Sequence, residues 1–184
     1  LVSIFAYACA EAKFEGNDND LATLKTTLSC QKCDLKGANL SAVDLINADL
    51  KYANMRRVDL NHVNLSHTNL SQTYLIQANL TGANLKGAIL SGSDLRYAIL
   101  SRANLGKANL TKANLGNSRM IGTDLTEANL TDTDLRWADL TRADLTRADL
   151  AGANMDLTHL FGGDLFAANL EKANLNESIL KMTN

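Results

Sequence analysis

The hydrophobic positions of this chain recur every five residues over most of its length. From Leu35 to Leu180, every residue whose number is divisible by five is Leu, apart from Met55, Met120 and Met155. A period of five matches neither the 3.6-residue period of a helix nor the two-residue period of a free strand. A chain that keeps this period must turn at a regular interval, and the Leu residues predict one continuous internal column.

The position two residues before each Leu is always small, from Cys33 to Ser178, and we interpret it as a second inward position. Asn or Asp precedes the Leu in most units, and the two positions after the Leu vary freely among polar residues. These three positions are expected to face water. The short Asn and Asp side chains are expected to satisfy backbone groups of the turns and of neighbouring coils.

Glycine marks the expected turns. Seven of the 11 glycines occupy the second position after a Leu, at residues 37, 82, 87, 92, 122, 152 and 162. A type II turn requires a positive φ at its third residue, which Gly adopts without strain. The sequence therefore predicts one turn per pentapeptide, around an interior filled by Leu and Ala. A single coil would lose more chain entropy than its buried Leu side chains return, so the coils must stack.

The motif A-(D/N)-L-x-x, as in Ala38-Asn39-Leu40, resembles that of the pentapeptide-repeat proteins, and it runs without an insertion through residues 33–182. The resemblance implies an all-β fold: a right-handed quadrilateral parallel β-helix of short strands, with four units per coil. We accordingly divide the chain into an N-terminal segment, 1–32, and a repeat domain, 33–182.

The first ten residues are apolar but too few to span a bilayer. Ala6-Tyr7-Ala8 and Ala8-Cys9-Ala10 each match a small-x-small cleavage signal behind an apolar segment. Residues 1–10 are therefore interpreted either as the tail of an export signal or as a short apolar helix that caps the domain.

A short amphipathic helix is predicted after this segment. Leu21, Leu24 and Leu28 are spaced three and four residues apart, and residues 18–20, Asp-Asn-Asp, are suitable N-caps. We expect this helix to close the N-terminal end of the repeat domain.

Cys30 and Cys33 enter the repeat in phase, at a Leu position and at a small position, so both thiols should point inward. If the protein is exported, a disulfide is favoured over buried free thiols. A redox pair of the thioredoxin type would open a helix, and a structural zinc site would need four ligands, so both are disfavoured. The helix, the Cys-x-x-Cys-Asp-Leu motif and the repeats together resemble cyanobacterial pentapeptide-repeat proteins of the thylakoid lumen or periplasm. The resemblance implies that location, with the cytoplasm as the alternative.

The formal net charge of −2 gives no general attraction to nucleic acid or to an anionic membrane, and we expect neither as a partner. The charge is nevertheless uneven, because residues 86–119 carry a net +5 and residues 120–170 a net −6. Family members that inhibit DNA gyrase present an acidic rod that mimics duplex DNA. Inhibition of a type II topoisomerase by the acidic half is therefore the alternative function. We disfavour it because three Arg residues interleave with Asp residues there and are expected to pair with them: Arg136, Arg142 and Arg147 with Asp139, Asp144 and Asp149.

Two groups of outward apolar residues are candidate contact surfaces. With four units per coil, Tyr97, Trp137 and Leu157 share one face and form a candidate partner-binding surface. Phe161, Phe166 and Ile179 lie towards the C-terminal end, where the repeat finishes in phase with no evident cap. End-to-end association of two copies would cover this end.

Enzymatic activity is not expected. Uninterrupted repeats provide no loop to build a concave site, and no Ser/His/Asp, Cys/His or phosphate-binding Gly-rich motif occurs. His62 and His67 lie at successive outward positions without a third ligand, so we assign no metal and no cofactor. The sequence thus favours a rigid, non-catalytic structural or protein-interaction module, with an unknown protein as its partner.

Overall fold

The computed structural model describes residues 15–183, and the apolar segment 1–10 lies outside them. Helix α1 spans Asp18–Thr27. Its N-cap is Asn17, one residue before the predicted capping residues, and the Asn17 side chain accepts hydrogen bonds from the N–H groups of Asn19 and Asp20. Leu28 ends the helix in the left-handed conformation.

Helix α1 packs on the first coil of the repeat. Leu24 is fully buried, and the Asp20 carboxylate accepts a 2.7 Å hydrogen bond from the N–H of Asp34. The N–H of Asn17 donates to the carbonyl of the same Asp34 at 2.8 Å. The helix therefore satisfies backbone groups at the N-terminal end that have no preceding coil to pair with.

The repeat forms a stack of coils in which each residue lies beside the residue 20 positions later. Parallel bridges with this register begin at Ser29 and Asp49 and continue to His159 and Ile179. A register of 20 residues equals four pentapeptides, so each coil has four sides. The bridges are single-residue contacts, whereas short strands were predicted. Because the chain turns every five residues, each side is too short to extend a ladder beyond the Asn or Asp position.

Every backbone N–H group in a regular unit has an acceptor. In the unit 108–112, the N–H groups of Asn109, Leu110 and Lys112 donate to adjacent coils at 2.7–3.0 Å. The N–H of Ala108 donates to Leu105 in the preceding unit and closes a turn. The N–H of Thr111 donates to the side-chain Oδ1 of Asn109 at 3.0 Å. The Asn or Asp side chain thus accepts the one N–H group that is directed away from the rest of the backbone.

The interior is a column of apolar side chains. The Leu or Met side chain is fully buried in every unit from Leu35 to Leu160. Where Thr replaces Ala at the small position, its hydroxyl donates to a Leu carbonyl, either of the preceding coil, as Thr123 does to Leu100 at 2.9 Å, or of the preceding unit, as Thr73 does to Leu70 at 2.6 Å. Buried hydroxyls at these positions are therefore compatible with the core. The last coil is less buried, and Leu180 is 44% exposed.

The turns have the predicted conformation. All seven glycines at the second position after a Leu have a positive φ, and so do the other residues at this position, with the exception of Ala42. The regular pattern is interrupted at Ala42, since Asp44 in the next unit also lacks the bridge that its counterparts form. Many non-glycine residues therefore adopt the left-handed conformation, which costs each of them roughly 1–2 kcal/mol.

A substitution at Gly122 would measure the cost of the left-handed conformation without any steric clash, because a Cβ atom added there meets no atom within 4 Å. We expect Gly122→Ala to lower the free energy of unfolding by about 1 kcal/mol. Gly122→Asn, the matched control, should lose less, because Asn tolerates the left-handed region. Chemical denaturation would measure both. Equal losses for the two variants would show that φ is not the cause.

Candidate interaction surfaces

Tyr97, Trp137 and Leu157 lie where the sequence predicts, at the second turn position of one corner of the coil. The 20-residue register places Tyr97 and Trp137 two coils apart, at a separation of about 9.6 Å along the stack. The intervening residue in the column is Asn117. The Tyr97 and Trp137 side chains are 55% and 57% exposed, whereas Leu157 is half-buried.

A cleft of about 310 Å³ lies between the two aromatic side chains, and we call it the aromatic notch. It exists because Gly116 has no side chain, while the equivalent residues one coil before and one coil after are Arg96 and Arg136. Its lining comprises Arg96, Tyr97, Asn114, Gly116, Asn117, Asp134, Arg136 and Trp137. Leu157 does not line the notch.

Two arginine–aspartate pairs border the aromatic notch. Arg96 donates to both carboxylate oxygens of Asp94, at 2.9 and 2.7 Å, and Arg136 donates to both oxygens of Asp134 at the same distances. Bidentate geometry of this kind holds a guanidinium in one orientation. The notch therefore presents fixed polar edges beside its two aromatic side chains.

These pairs shift the titration of their carboxyl groups. The hydrogen bond from Arg136 holds the pKa of Asp134 below its usual range, against the opposing effect of partial burial. At Asp94, partial burial alone would raise the pKa, but the hydrogen bonds and charge of Arg96 outweigh it, and the pKa is lowered. Both carboxyl groups are therefore ionised and paired at neutral pH.

The expected pairing in the acidic half is wrong in its partners. Arg136 pairs with Asp134, which lies two residues before it in its own unit, rather than with Asp139. Arg142 and Arg147 have no carboxylate within 4 Å in the described part of the chain. The Asp residues of this half instead use Oδ1 to accept a turn N–H, as Asp144 does from Thr146 at 2.9 Å.

The residues of the candidate end surface are exposed as predicted from their positions. Phe166 is 61% exposed, Ile179 47% and Phe161 37%. Ile179 bridges to His159 and belongs to the last coil, beside the exposed Leu180. The apolar residues of this end are therefore accessible in the described chain.

Cys30 and Cys33 are joined in a disulfide, with their Cα atoms 5.4 Å apart. Both residues are buried, at the mouth covered by α1. The N–H of Cys30 donates to the carbonyl of Asp49 in the next coil, so the disulfide is part of the first coil. It thus links the end of the helical segment to the stack.

No group of three or more His, Cys, Asp or Glu residues is placed to hold a metal ion within residues 15–183. The His62 imidazole lies against Gly82, where an added Cβ atom would be 2.6 Å from its ring, and His67 lies in the same way against Gly87. Over the same part of the chain, no helix has the length and apolar character needed to cross a membrane.

Sequence reasoning identified the aromatic residues but missed the aromatic notch between them. The signal was present at Gly116, since Gly at the first turn position removes a side chain without any need for positive φ. The Arg–Asp pairs were also readable from the spacing Asp-Leu-Arg, which occurs at 94–96 and 134–136.

We expect Arg136→Gln to raise the pKa of Asp134 towards its ordinary value, as measured by NMR titration of the carboxyl carbon. Because the pKa is lowered in the folded state, the pair stabilises the fold above the ordinary carboxyl pKa and loses this effect as the pH falls through the lowered value. The melting temperatures of the variant and the wild type should therefore converge in acid. Arg147→Gln, the control, should leave the pKa of Asp134 unchanged, and an equal shift in both variants would refute the pairing.

A family model described as pentapeptide repeats matches the chain with eight copies, over residues 29–61, 59–96, 88–127, 98–136, 128–165 and 143–181. No curated protein matches the chain.

Several solved structures are similar. A pentapeptide repeat protein from the Arabidopsis thaliana thylakoid lumen is 32% identical, with a TM-score of 0.42, over 61% of this chain and 68% of that chain. A pentapeptide repeat protein from the cyanobacterium Cyanothece 51142 is 25% identical, with a TM-score of 0.40, over 90% and 94% of the two chains. QnrB1, a plasmid-mediated fluoroquinolone resistance protein, is 18% identical, with a TM-score of 0.43, over 80% and 89%. Because the matches to the family model together cover residues 29–181, which is most of the chain, this chain belongs to the pentapeptide repeat family.

Proposed function

We propose that this chain is a rigid, non-catalytic interaction module that binds a protein partner at the aromatic notch. Its scaffold, in this proposal, is the right-handed quadrilateral β-helix implied by the repeat. The observation that carries the proposal is a cleft of about 310 Å³ between two exposed aromatic side chains on an otherwise polar wall. Tyr, Trp and Arg are the residues that most often dominate binding energy in protein interfaces.

Rigidity supports this role. Every backbone donor of a regular unit is satisfied, mostly by the adjacent coils, and the described repeat contains no loop longer than its two-residue turns. The backbone positions that carry the two aromatic side chains, and the two bidentate Arg–Asp pairs, are therefore fixed before a partner arrives. A preorganised surface loses little conformational entropy on binding.

The chemistry of the aromatic notch favours binding over catalysis. Its Asp134 carboxylate is engaged by Arg136, and its remaining polar side-chain groups are the two Asn amides, the guanidinium groups, the Tyr97 hydroxyl and the Trp137 indole N–H. None of these groups is a nucleophile held beside a base, and no general base with a raised pKa faces the space. We therefore propose that the protein is not an enzyme and needs no cofactor.

An exported location, thylakoid lumen or periplasm, is part of the proposal. It is supported by the small-x-small motifs near the N-terminus and by the disulfide of Cys30 and Cys33. Disulfides persist in oxidising compartments and are rare in the cytosol.

Inhibition of a type II topoisomerase remains the alternative function, and its test is a gyrase supercoiling assay. The acidic half does not favour it, because Asp124, Asp139, Asp144 and Asp149 each use a carboxylate oxygen to accept a turn N–H. Inhibition at low stoichiometry would nevertheless overturn the preferred proposal.

The aromatic notch can be tested with the tagged protein and an extract of its source cells, including the exported fraction. We expect Tyr97→Ala/Trp137→Ala to reduce recovery of a specific partner by about tenfold or more, since central aromatic residues often contribute 2 kcal/mol or more. Quantitative mass spectrometry of the captured proteins is the measurement.

A filling variant and a matched control separate the aromatic notch from a general surface effect. Gly116→Gln fills the notch and should reduce partner recovery. Gly106→Gln, the control, changes the equivalent first-turn position on another side of the coil and should leave partner recovery unchanged. The two sites are matched, because an added Cβ atom lies 3.2 Å from the Asn side chain of its own unit at both Gly106 and Gly116. Equal recovery by all variants would leave the notch without a binding role.

We further propose that two copies of this chain associate through their C-terminal ends. The last coil leaves Leu180 exposed beside Ile179, and Phe166 is exposed towards the same end. A second copy would cover these apolar side chains.

Sedimentation equilibrium tests the association, and we expect a concentration-dependent dimer. Ile179→Lys together with Leu180→Lys should shift the protein towards the monomer, because two charges would be buried in the contact. The control, Ile99→Lys, lies on the same side four coils earlier. Dimers of equal affinity in all three proteins would place the contact elsewhere.

A further inference from the structure

A second cleft, of about 240 Å³, lies on the corner next to the aromatic notch. It occurs where two consecutive coils lack Asn or Asp before the Leu position, because Ile99 and its bridge partner Arg119 occupy those places. Its lining comprises Thr81, Ile99, Ser101, Arg102, Arg119 and Ile121.

Regular units show what is missing there. In the unit of Asp124, the N–H and the hydroxyl of Thr126 both donate to one carboxylate oxygen, at 2.9 and 2.7 Å. Thr81 donates in the same way to Asn79, at 3.2 and 2.8 Å. A hydroxyl residue at the first turn position thus supplies a pair of donors that together hold one oxygen atom.

Ser101 supplies the same donor pair with no oxygen to receive it, since the residue two positions earlier is Ile99. The Ser101 Oγ is buried and has no hydrogen-bond partner among residues 15–183; Ser118, at an inward position of the next coil, is the other such hydroxyl. The N–H groups of Ser101 and Ile121 likewise have no acceptor in this part of the chain. Unsatisfied buried donors are costly and indicate an absent acceptor.

Two unpaired arginines adjoin these donors. Neither Arg102 nor Arg119 has a carboxylate within 4 Å in the described structure. The residues one coil before and one coil after Arg102 are Gly82 and Gly122. A Cβ atom added at Gly122 would meet no atom within 4 Å, so the space beside Arg102 is open on that side. Asp139, the next residue after Arg119 in its own column, uses its Oδ1 to accept the N–H of Thr141.

We propose that this cleft binds a small organic oxyanion, a phosphate monoester or a carboxylate. One anionic oxygen takes the position of the missing Asn or Asp oxygen and accepts from the N–H of Ser101. A change of the Ser101 and Ile99 rotamers then lets the buried Ser101 Oγ donate to the same oxygen. The remaining oxygens accept from Arg102, Arg119 and the N–H of Ile121. Guanidinium groups bind both anions through charge-assisted hydrogen bonds.

The apolar walls favour an organic anion over a bare inorganic one. Ile99 and Ile121 line the cleft beside the donors, and Ile99 is 39% exposed. An apolar substituent on the anion would cover these side chains and remove their surface from water. Four of the six lining residues, including both arginines, lie within the stretch 86–119, whose net charge of +5 attracts anions.

The site is tested by calorimetry and by amide NMR titration with phenyl phosphate, benzoate and inorganic phosphate in a low-chloride buffer. We expect saturable binding of one phenyl phosphate or benzoate per chain, with the largest shifts at the amides of Ser101 and Ile121. Inorganic phosphate should bind more weakly. The stronger of the two organic probes identifies the anion class.

Ile99→Asn is the decisive variant, because it restores an internal oxygen to the donor pair of Ser101. It should weaken binding by about tenfold or more while raising the melting temperature. Arg119→Gln should weaken binding to a similar extent by removing a charge. Ile89→Asn makes the same repair on another side of the coil, away from this cleft, and should leave affinity unchanged.

Two results would overturn the proposal: no saturable binding of any probe in the millimolar range, or equal binding by the wild type and Ile99→Asn. The aromatic notch lies on a different corner, so either result would leave the proposed protein-binding function intact. Circular dichroism of each variant confirms that a loss of binding is not a loss of fold.

Discussion

One hydrogen bond in each pentapeptide determines how the others are arranged: the bond from the first turn N–H to the Asn or Asp side chain of its own unit. The other four N–H groups find carbonyls in adjacent coils or across the turn. This fifth donor faces outward at the corner, where no carbonyl reaches it, so a short side chain must supply the oxygen. The repeated Asn and Asp are thus part of the backbone hydrogen-bonding system. A carboxylate in this column has one oxygen already bound to a turn N–H and is less available to bind a partner.

This arrangement restricts where the molecule can carry a function. The interior is filled by Leu side chains, and each side of a coil forms a single β-bridge to the next coil. The Asn and Asp side chains are hydrogen-bonded to the turn N–H groups. What remains variable is the pair of turn residues at each corner, together with the few units in which Asn or Asp is replaced. Both clefts arise at such places: one where Gly116 omits a side chain, and one where Ile99 and Arg119 omit an oxygen. Departures from the repeat, rather than the repeat itself, are therefore the informative positions.

The sequence predicted the periodic features because each depends on local chemistry. The Leu column, the small column, the turn positions and the positive φ of seven glycines follow from a five-residue period and from the conformational freedom of Gly. The helix from Asp18 was predicted from its caps and its Leu spacing, although the N-cap is Asn17. The predicted short strands are present only as single parallel bridges, since a side bounded by turns at both ends has no room for a longer ladder.

By itself, the sequence determined that the chain turns every five residues, which residues face inward, and which aromatic side chains face out. Only the tertiary structure decided which side chains meet at each corner, because the register of 20 residues, which the family resemblance implied, sets only which positions are adjacent. That register places Gly116 between two arginines and Ser101 beside two unpaired guanidinium groups, whereas the local direction of the Arg136 side chain pairs it with Asp134 rather than Asp139. These contacts depend on residues that are far apart in the chain, or on the direction of a side chain at a corner. A five-residue sequence period specifies neither the distant neighbour nor the side-chain direction.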